Sequence, residues 1–237
     1  MVPAGAAGGA IVKRTGNPVR LRNFDHHVRL DIVANDCFAT LQLTDKPLTS
    51  RVLRPYDQRT ALKANVAAAM VRLAELKKSG PLKVGDLFCG SGTILIEAAR
   101  TYPHHRWVGF DLNKQAVSGA QQNLQANGVT AVEVFRGNSI CLAREWDGLF
   151  DRIITNPPFG LRLGKRIHYE SFYRELVATL DRLLRPGGMA VVLVMKFGVM
   201  RHAILRSSLS LQSFHPVEMN GVRPTIMVLS RKEGDAD

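Results

Sequence analysis

From about residue 82 onward, apolar runs alternate with stretches whose hydrophobic positions recur at helical spacing. Strand-like runs fall at residues 82–88, 106–111, 131–136, 150–155 and 189–196. The last reads Met189-Ala190-Val191-Val192-Leu193-Val194-Met195, a near-continuous apolar string. Helical patterns occupy 92–102, 113–126, a short piece at 140–146, 169–184 and 198–207. Strands written without polar alternation are buried on both faces, which is the signature of a parallel sheet covered by helices. Arg185-Pro186-Gly187-Gly188 reads as a helix stop and turn before the strand at 189. Two more strand-like runs, Leu209 to Phe214 and Pro224 to Leu229, flank a loop holding Asn220-Gly221 and predict a C-terminal antiparallel hairpin. The expected fold is α/β: a mostly parallel seven-stranded sheet with helices on both faces.

Upstream of this block, residues 61–74 are Ala-rich and helical, stopping near Gly80-Pro81. His27 to Val33 and Cys37 to Leu43 alternate apolar and polar positions around Asn35-Asp36, predicting a hairpin. Residues 1 to about 25 mix Gly, Ala, Pro and basic residues without a period and read as mobile. The chain therefore divides into a flexible N-terminus with a β-hairpin linker, 1–50, and a catalytic-size domain, 51–237.

Composition adds the partner class. The formal charge is +12, from 32 basic and 20 acidic residues spread from Lys13 to Lys232. A basic surface of this extent favours a polyanion, nucleic acid first. Cys37, Cys89 and Cys141 are widely separated and lack ligand spacing, which predicts a reducing, cytoplasmic setting and no metal site. The adjacent pairs His26-His27 and His104-His105 also predict no metal. No run of 18 apolar residues occurs, so no membrane partner is expected.

The chemistry concentrates at the ends of the predicted strands. Asp86-Leu87-Phe88-Cys89-Gly90-Ser91-Gly92-Thr93 is a strand, a glycine turn and a helix start, the place where open α/β sheets bind ligands. A dinucleotide site would carry a third glycine three residues after Gly92, where this chain has Leu95. Asp86 would also repel a pyrophosphate, whereas it can hold the ammonium of an amino-acid-like cofactor such as S-adenosyl-L-methionine. Phe88, Cys89, Gly90, Ser91, Gly92 and Thr93 form the candidate cradle. Asp111, followed by Leu112, ends the next strand and can accept from both ribose hydroxyls. Asn138, followed by Ser139, ends a third and can accept from an adenine amine.

Thr155-Asn156-Pro157-Pro158-Phe159-Gly160 follows the strand at 150–155. An exocyclic base amine is a poor nucleophile because its lone pair is delocalised into the ring. The Asn156 side-chain oxygen and the Pro157 carbonyl can accept from its N–H groups and turn the lone pair outward. Two prolines fix φ near −65° and hold those acceptors in place beforehand. Phe159 then offers a face on which an extruded base can stack. Asn156, Pro157, Pro158 and Phe159 are the candidate catalytic residues, with Asn156 also bordering the cofactor. The basic, glycine-hinged stretch after them supplies Arg162, Lys165 and Arg166 as candidate phosphate contacts. Leu62, Lys63 and Asn65 are candidates for the rim of the cofactor pocket, and Tyr173 is assigned to the core.

DLFCGSG at 86–92, VGFD at 108–111 and TNPPFG at 155–160 resemble the amino-methyltransferase branch of the Rossmann-like class I methyltransferases. The nearer resemblance is to the THUMP-linked RNA guanine-N2 methyltransferases, carried by Arg54-Pro55-Tyr56, Cys89 to Thr93 with Ile96-Glu97-Ala98-Ala99, and Asn156 to Gly160 with Arg162. It covers about residues 50–235. It implies S-adenosyl-L-methionine as cofactor and guanine N2 as acceptor, with tRNA the first RNA substrate and rRNA the second. Adenine N6 in DNA or RNA, a protein glutamine amide, and a non-catalytic RNA-binding module stay open as alternatives. The family often carries Asp where this chain has Asn138, and an N-terminal THUMP domain where this chain has 50 residues before Arg51. The hairpin resembles the segment that follows such a domain. The resemblance implies a short form, a fragment, or one partner of a split enzyme with a separate RNA-binding THUMP-type component.

Overall fold

A computed structural model describes residues 2–44, 46–58, 61–76, 80–142, 144–159, 168–219 and 221–233. The chain falls into two compact units, Met1–Leu48 and Thr49–Asp237.

The first unit holds helix α1 (Val2–Thr15) and the antiparallel pair β1 (His27–Val33) and β2 (Asp36–Gln42). No helix was expected in residues 1–25, which carry no hydrophobic period. Ala has the highest helix propensity and needs no buried stripe to form a helix; the described residues of α1 are exposed or half-exposed, so the sequence shows no apolar period. The hairpin turn is Ala34-Asn35, since Val33 pairs with Asp36, and Ala34 takes the left-handed conformation such two-residue turns demand.

The second unit is built on one seven-stranded sheet. Its elements run α2 (Ala64–Leu73), β3 (Lys83–Asp86), α3 (Thr93–Thr101), β4 (Arg106–Asp111), α4 (Lys114–Ala126), β5 (Val132–Arg136), β6 (Phe150–Thr155), α5 (Tyr169–Leu183), β7 (Leu184–Val194), α6 (Phe197–Ile204), β8 (Leu209–Pro216) and β9 (Thr225–Arg231). The strand order is β5-β4-β3-β6-β7-β9-β8. β3 to β7 are parallel, while β9 runs antiparallel to both of its neighbours. This is a Rossmann-like class I methyltransferase architecture with a C-terminal antiparallel hairpin.

Alternate residues of β7 serve two cores. Val191 and Leu193 join α2 and α3 residues such as Met70 and Ile96 on one face. Ala190, Val192 and Val194 join α5 and α6 residues such as Leu176, Leu180 and Met200 on the other. Both layers are needed to bury an apolar strand on both sides.

Two local expectations change. Residues 140–146 form two short 3-10 turns, Ser139–Cys141 and Arg144–Trp146, instead of a helical piece. The Asn138 side chain accepts from the Ile140 N–H and closes the first after one turn. Arg185 to Gly188 form a bulge inside β7 instead of a turn before it. Phe150 pairs with Leu184 but Arg152 pairs with Met189, so β7 loops out four residues while β6 advances one. Gly187, at φ +70°, permits the excursion.

Candidate active site

The carboxyl ends of β3, β4 and β6 meet where the strand order reverses, with β4 on one side of β3 and β6 on the other. Ligand crevices of open α/β sheets lie at such points. A cleft of about 570 Å³ opens there, floored by the turn after β3 and walled by Asp111, Asn138 and the segment Asn156 to Phe159. Except for Gly92, all the cofactor and catalytic candidates read from the strand ends line it. Gly92 lies one step behind as the N-cap of α3, at φ +80°, where a Cβ would stand 3.4 Å from that of Ala120. Gly90 is also left-handed, at φ +53°, and any Cβ there would stand 3.1 Å from the Gln58 amide oxygen.

Asp86 anchors the floor. One carboxylate oxygen accepts from the Thr155 hydroxyl at 2.8 Å and from the Phe88 N–H at 3.2 Å. The other is buried and has no partner among the described residues. Burial lifts the carboxyl to about 7, partly opposed by the Thr155 and Phe88 hydrogen bonds and reinforced by the nearby Asp111 charge. The Asn156 side-chain oxygen is likewise buried without a partner. Thr155 links the two: its hydroxyl holds Asp86, and its carbonyl carbon begins the peptide of Asn156. A pair of unsatisfied buried acceptors in one cleft calls for ligand N–H donors.

Asp111 ties the glycine turn to β4. Its two oxygens accept from Gly90 N–H at 3.0 Å and Asn113 N–H at 2.8 Å, leaving lone pairs turned to the cleft. The Asn138 oxygen already caps the 3-10 turn and has its second lone pair left for a ligand. Ser139 is turned inward, donating to the Leu87 carbonyl. Burial, with the charges of Asp86 and Asp111, pushes the Cys89 thiol well up, so it contributes bulk to the floor and no thiolate. Among the described residues, no Lys, Arg or His lines the cleft. That combination of two acids and no cation suits a cationic adenosyl ligand and rejects a pyrophosphate.

The segment just upstream of α2 is the part that pattern reading passes over. Asn123 of α4 accepts from the Tyr56 N–H and donates to the Tyr56 carbonyl, both at 2.9 Å. Asn127, one turn on, does the same for Leu53. Arg54 donates to the Leu62 carbonyl at 2.7 Å and to Thr93 at 3.3 Å. This strap carries Gln58, Ala61 and Leu62 to the cleft wall; Lys63 and Asn65 do not line it. Phe172, Met219 and Val222 also line it, from elements far along the chain. The signal that locates the strap is Gly119, a glycine inside a helix, where a Cβ would fall 2.1 Å from the Tyr56 ring. Gly119→Ala is expected to lower the unfolding free energy by about 1–3 kcal/mol in a urea titration, with part of the loss recovered when Tyr56→Ala is added.

Tyr169 braces the segment Asn156 to Phe159 by donating from its hydroxyl to the Phe159 carbonyl at 2.6 Å. Tyr173 is fully buried beneath it, and its hydroxyl accepts from the N–H groups of Met195 and Lys196. The phosphate candidates Arg162, Lys165 and Arg166 lie outside the described residues. His105 is structural, with its ring bridging Leu82 N–H and the Leu76 carbonyl. No cluster of metal-ligating side chains occurs among the described residues.

With this geometry in place, residues 51–224 match the family described as UPF0020, RMKL-like methyltransferase domain. The chain belongs to this family. It is 32% identical to the tRNA (guanine(6)-N2)-methyltransferase of Thermus thermophilus over 94% of its own length and 66% of that protein's. It is 34% identical to the U6 snRNA (guanine-N(2))-methyltransferase THUMPD2 of Bos taurus over 78% of its length and 35% of that protein's. The crystal structure of TrmN from Thermus thermophilus superposes with a TM-score of 0.74 at 31% identity, covering 94% of this chain and 65% of that one. The chain thus spans between a third and two thirds of these relatives. The family assignment covers all three strand-end motifs and the strap, from Arg51 to Pro224.

Proposed function

We propose that the second unit transfers a methyl group from S-adenosyl-L-methionine to an exocyclic base amine of RNA, guanine N2 in tRNA first. The observation that carries this reading is the pair of buried, unpartnered acceptors, Asp86 and Asn156, in a cleft without basic side chains.

The residues present fit the cofactor. Asp86 offers its free oxygen to the ammonium, the turn at Gly90 and Gly92 leaves room for the chain, Asp111 takes the ribose hydroxyls, and Asn138 the adenine amine. When bound, the cofactor supplies an electrophilic methyl group. Asn156 and the Pro157 carbonyl accept from the base amine and orient its lone pair. Buried Pro157 and its neighbour Pro158 fix that geometry before substrate arrives. An amide is not a strong base, so the amine is held without being deprotonated first. Most of the acceleration would then come from these residues holding the amine aligned for attack.

The substrate follows the relatives, which act on guanine N2 of tRNA and of U6 snRNA. A sequence pI near 10.1 supports an RNA partner. Among the described residues, no helix is long and apolar enough to cross a membrane. We place the protein in the cytoplasm, consistent with three free cysteines. The first unit is proposed as the segment joining the catalytic domain to an RNA-capturing THUMP-type component, in the same chain or a separate one.

The test incubates the protein with labelled cofactor and, separately, bulk tRNA, small nuclear RNA, rRNA, DNA and protein, followed by digestion and identification of the labelled product. N2-methylguanosine is the expected result. N6-methyladenine or methylglutamine would overturn the choice of acceptor, and cofactor binding without transfer would overturn catalysis.

A further inference from the structure

β6 and β7 are parallel neighbours, with Thr155 paired to Val192, so the loops leaving them rise side by side from the same edge of the sheet. One loop carries Asn156 to Phe159. The other carries Met195 and Lys196 into α6. Lys196 is exposed and forms no ion pair among the described residues. Its placement is nevertheless determined. The Tyr173 hydroxyl accepts from its backbone N–H at 3.4 Å and from that of Met195 at 3.1 Å. Its ammonium lies 6.0 Å from the centre of the Tyr169 ring. That ring packs on Tyr173 at 5.6 Å and, through its hydroxyl, holds the Phe159 carbonyl. A single pair of tyrosines, their rings tilted at 58°, therefore ties the loop bearing Phe159 to the backbone that carries this unneutralised cation.

The geometry points to Lys196 as a binding residue for an RNA backbone phosphate flanking the methylated nucleotide, with Tyr169 as the positioning residue that couples this contact to the catalytic loop. The inference rests on the RNA methyltransferase reading above. A base presented to Asn156 and Phe159 brings a phosphodiester on each side of its own sugar, within a nucleotide's length of the pocket mouth. Phosphate contacts set the register of a nucleic acid while base contacts choose the atom. A lysine ammonium on a flexible stem serves as a point charge for such an oxygen, and the aromatic face keeps it directed without quenching it as a carboxylate would. Among its described lining residues the cofactor cleft holds no cation for this task.

The experiment compares Lys196→Ala, Lys196→Arg and Tyr169→Phe in steady-state methylation of the RNA that the wild-type protein modifies, with RNA affinity measured across a salt series. Lys196→Ala is expected to raise KM for RNA about tenfold with kcat unchanged, the size of one charge-assisted hydrogen bond. It should also reduce the slope of log K against log salt by about one. Lys196→Arg should restore both, and affinity for S-adenosyl-L-methionine should match wild type throughout. Tyr169→Phe keeps the ring and frees the Phe159 carbonyl, so kcat should fall while KM and the salt slope hold. An unchanged KM and slope in Lys196→Ala, or the same KM rise in Tyr169→Phe, would overturn the phosphate assignment while leaving the methyltransferase reading intact. Failure of the wild-type protein to bind or modify any RNA would instead sink that underlying reading.

Discussion

Asn156→Ala is expected to lower kcat for methyl transfer by about 100- to 1000-fold while the dissociation constant for S-adenosyl-L-methionine stays within about threefold of wild type. The Asn156 oxygen is buried and meets no donor among the described residues, so its removal breaks no hydrogen bond described there and relieves an unsatisfied acceptor. Folding should therefore be unharmed or slightly improved, and thermal melting of the ligand-free protein provides that control. What is lost is the acceptor that aims the amine, and with it most of the alignment. Single-turnover rates with cofactor and RNA both saturating isolate this step. Equal loss of cofactor affinity and rate would show that Asn156 serves the cofactor and that the base amine is oriented by another group.

The second large effect is a pH dependence centred on Asp86. Burial raises its carboxyl from the ordinary 3.8 to about 7. Between those values the folded protein holds a proton that the unfolded chain has released, so this group's contribution to stability is complete below about pH 4 and is lost as pH rises through about 7. Asp86→Asn should remove that dependence. The stability of the variant relative to wild type should climb between pH 5 and 8, by an amount on the order of a few kcal/mol. Cofactor binding has the opposite sign, because an ammonium is held by the carboxylate and not by the acid. Affinity for S-adenosyl-L-methionine should rise with pH by up to about tenfold per unit below pH 7 and level off above it. In Asp86→Asn it should be weak and flat. Calorimetric titration at several pH values checks both, and a flat wild-type profile would mean that Asp86 does not meet the cation.

The strand-end residues that line the cleft were legible because each motif is local. Asp86 with its glycine turn, Asp111 and Asn156 to Phe159 are read from a few consecutive residues, and the order of parallel strands then brings them together at one edge. Of the strap only Leu62 was read as a neighbour of the pocket; its anchoring was not legible, since Leu53 and Tyr56 are held by Asn127 and Asn123 some 70 positions away and carry no period of their own. Met219 and Val222 reach the cleft from the connection between β8 and β9, which reads locally only as a turn. Helix α1 escaped because an exposed Ala-rich helix has no hydrophobic stripe. The bulge in β7 escaped because Arg-Pro-Gly-Gly reads as a stop, and only pairing with β6 shows that the strand has already begun.

The position of β9 has a consequence for how the molecule is made. The sheet's last strand in the chain, residues 225–231, fills an interior slot between β7 and β8. Until it leaves the ribosome, β7 has an open edge that includes Val191 to Val194, an apolar ladder able to recruit other chains. The nascent domain must therefore wait for a final insertion before its sheet closes, and chaperone dependence should be greatest in exactly that interval between the synthesis of α6 and the release of β9.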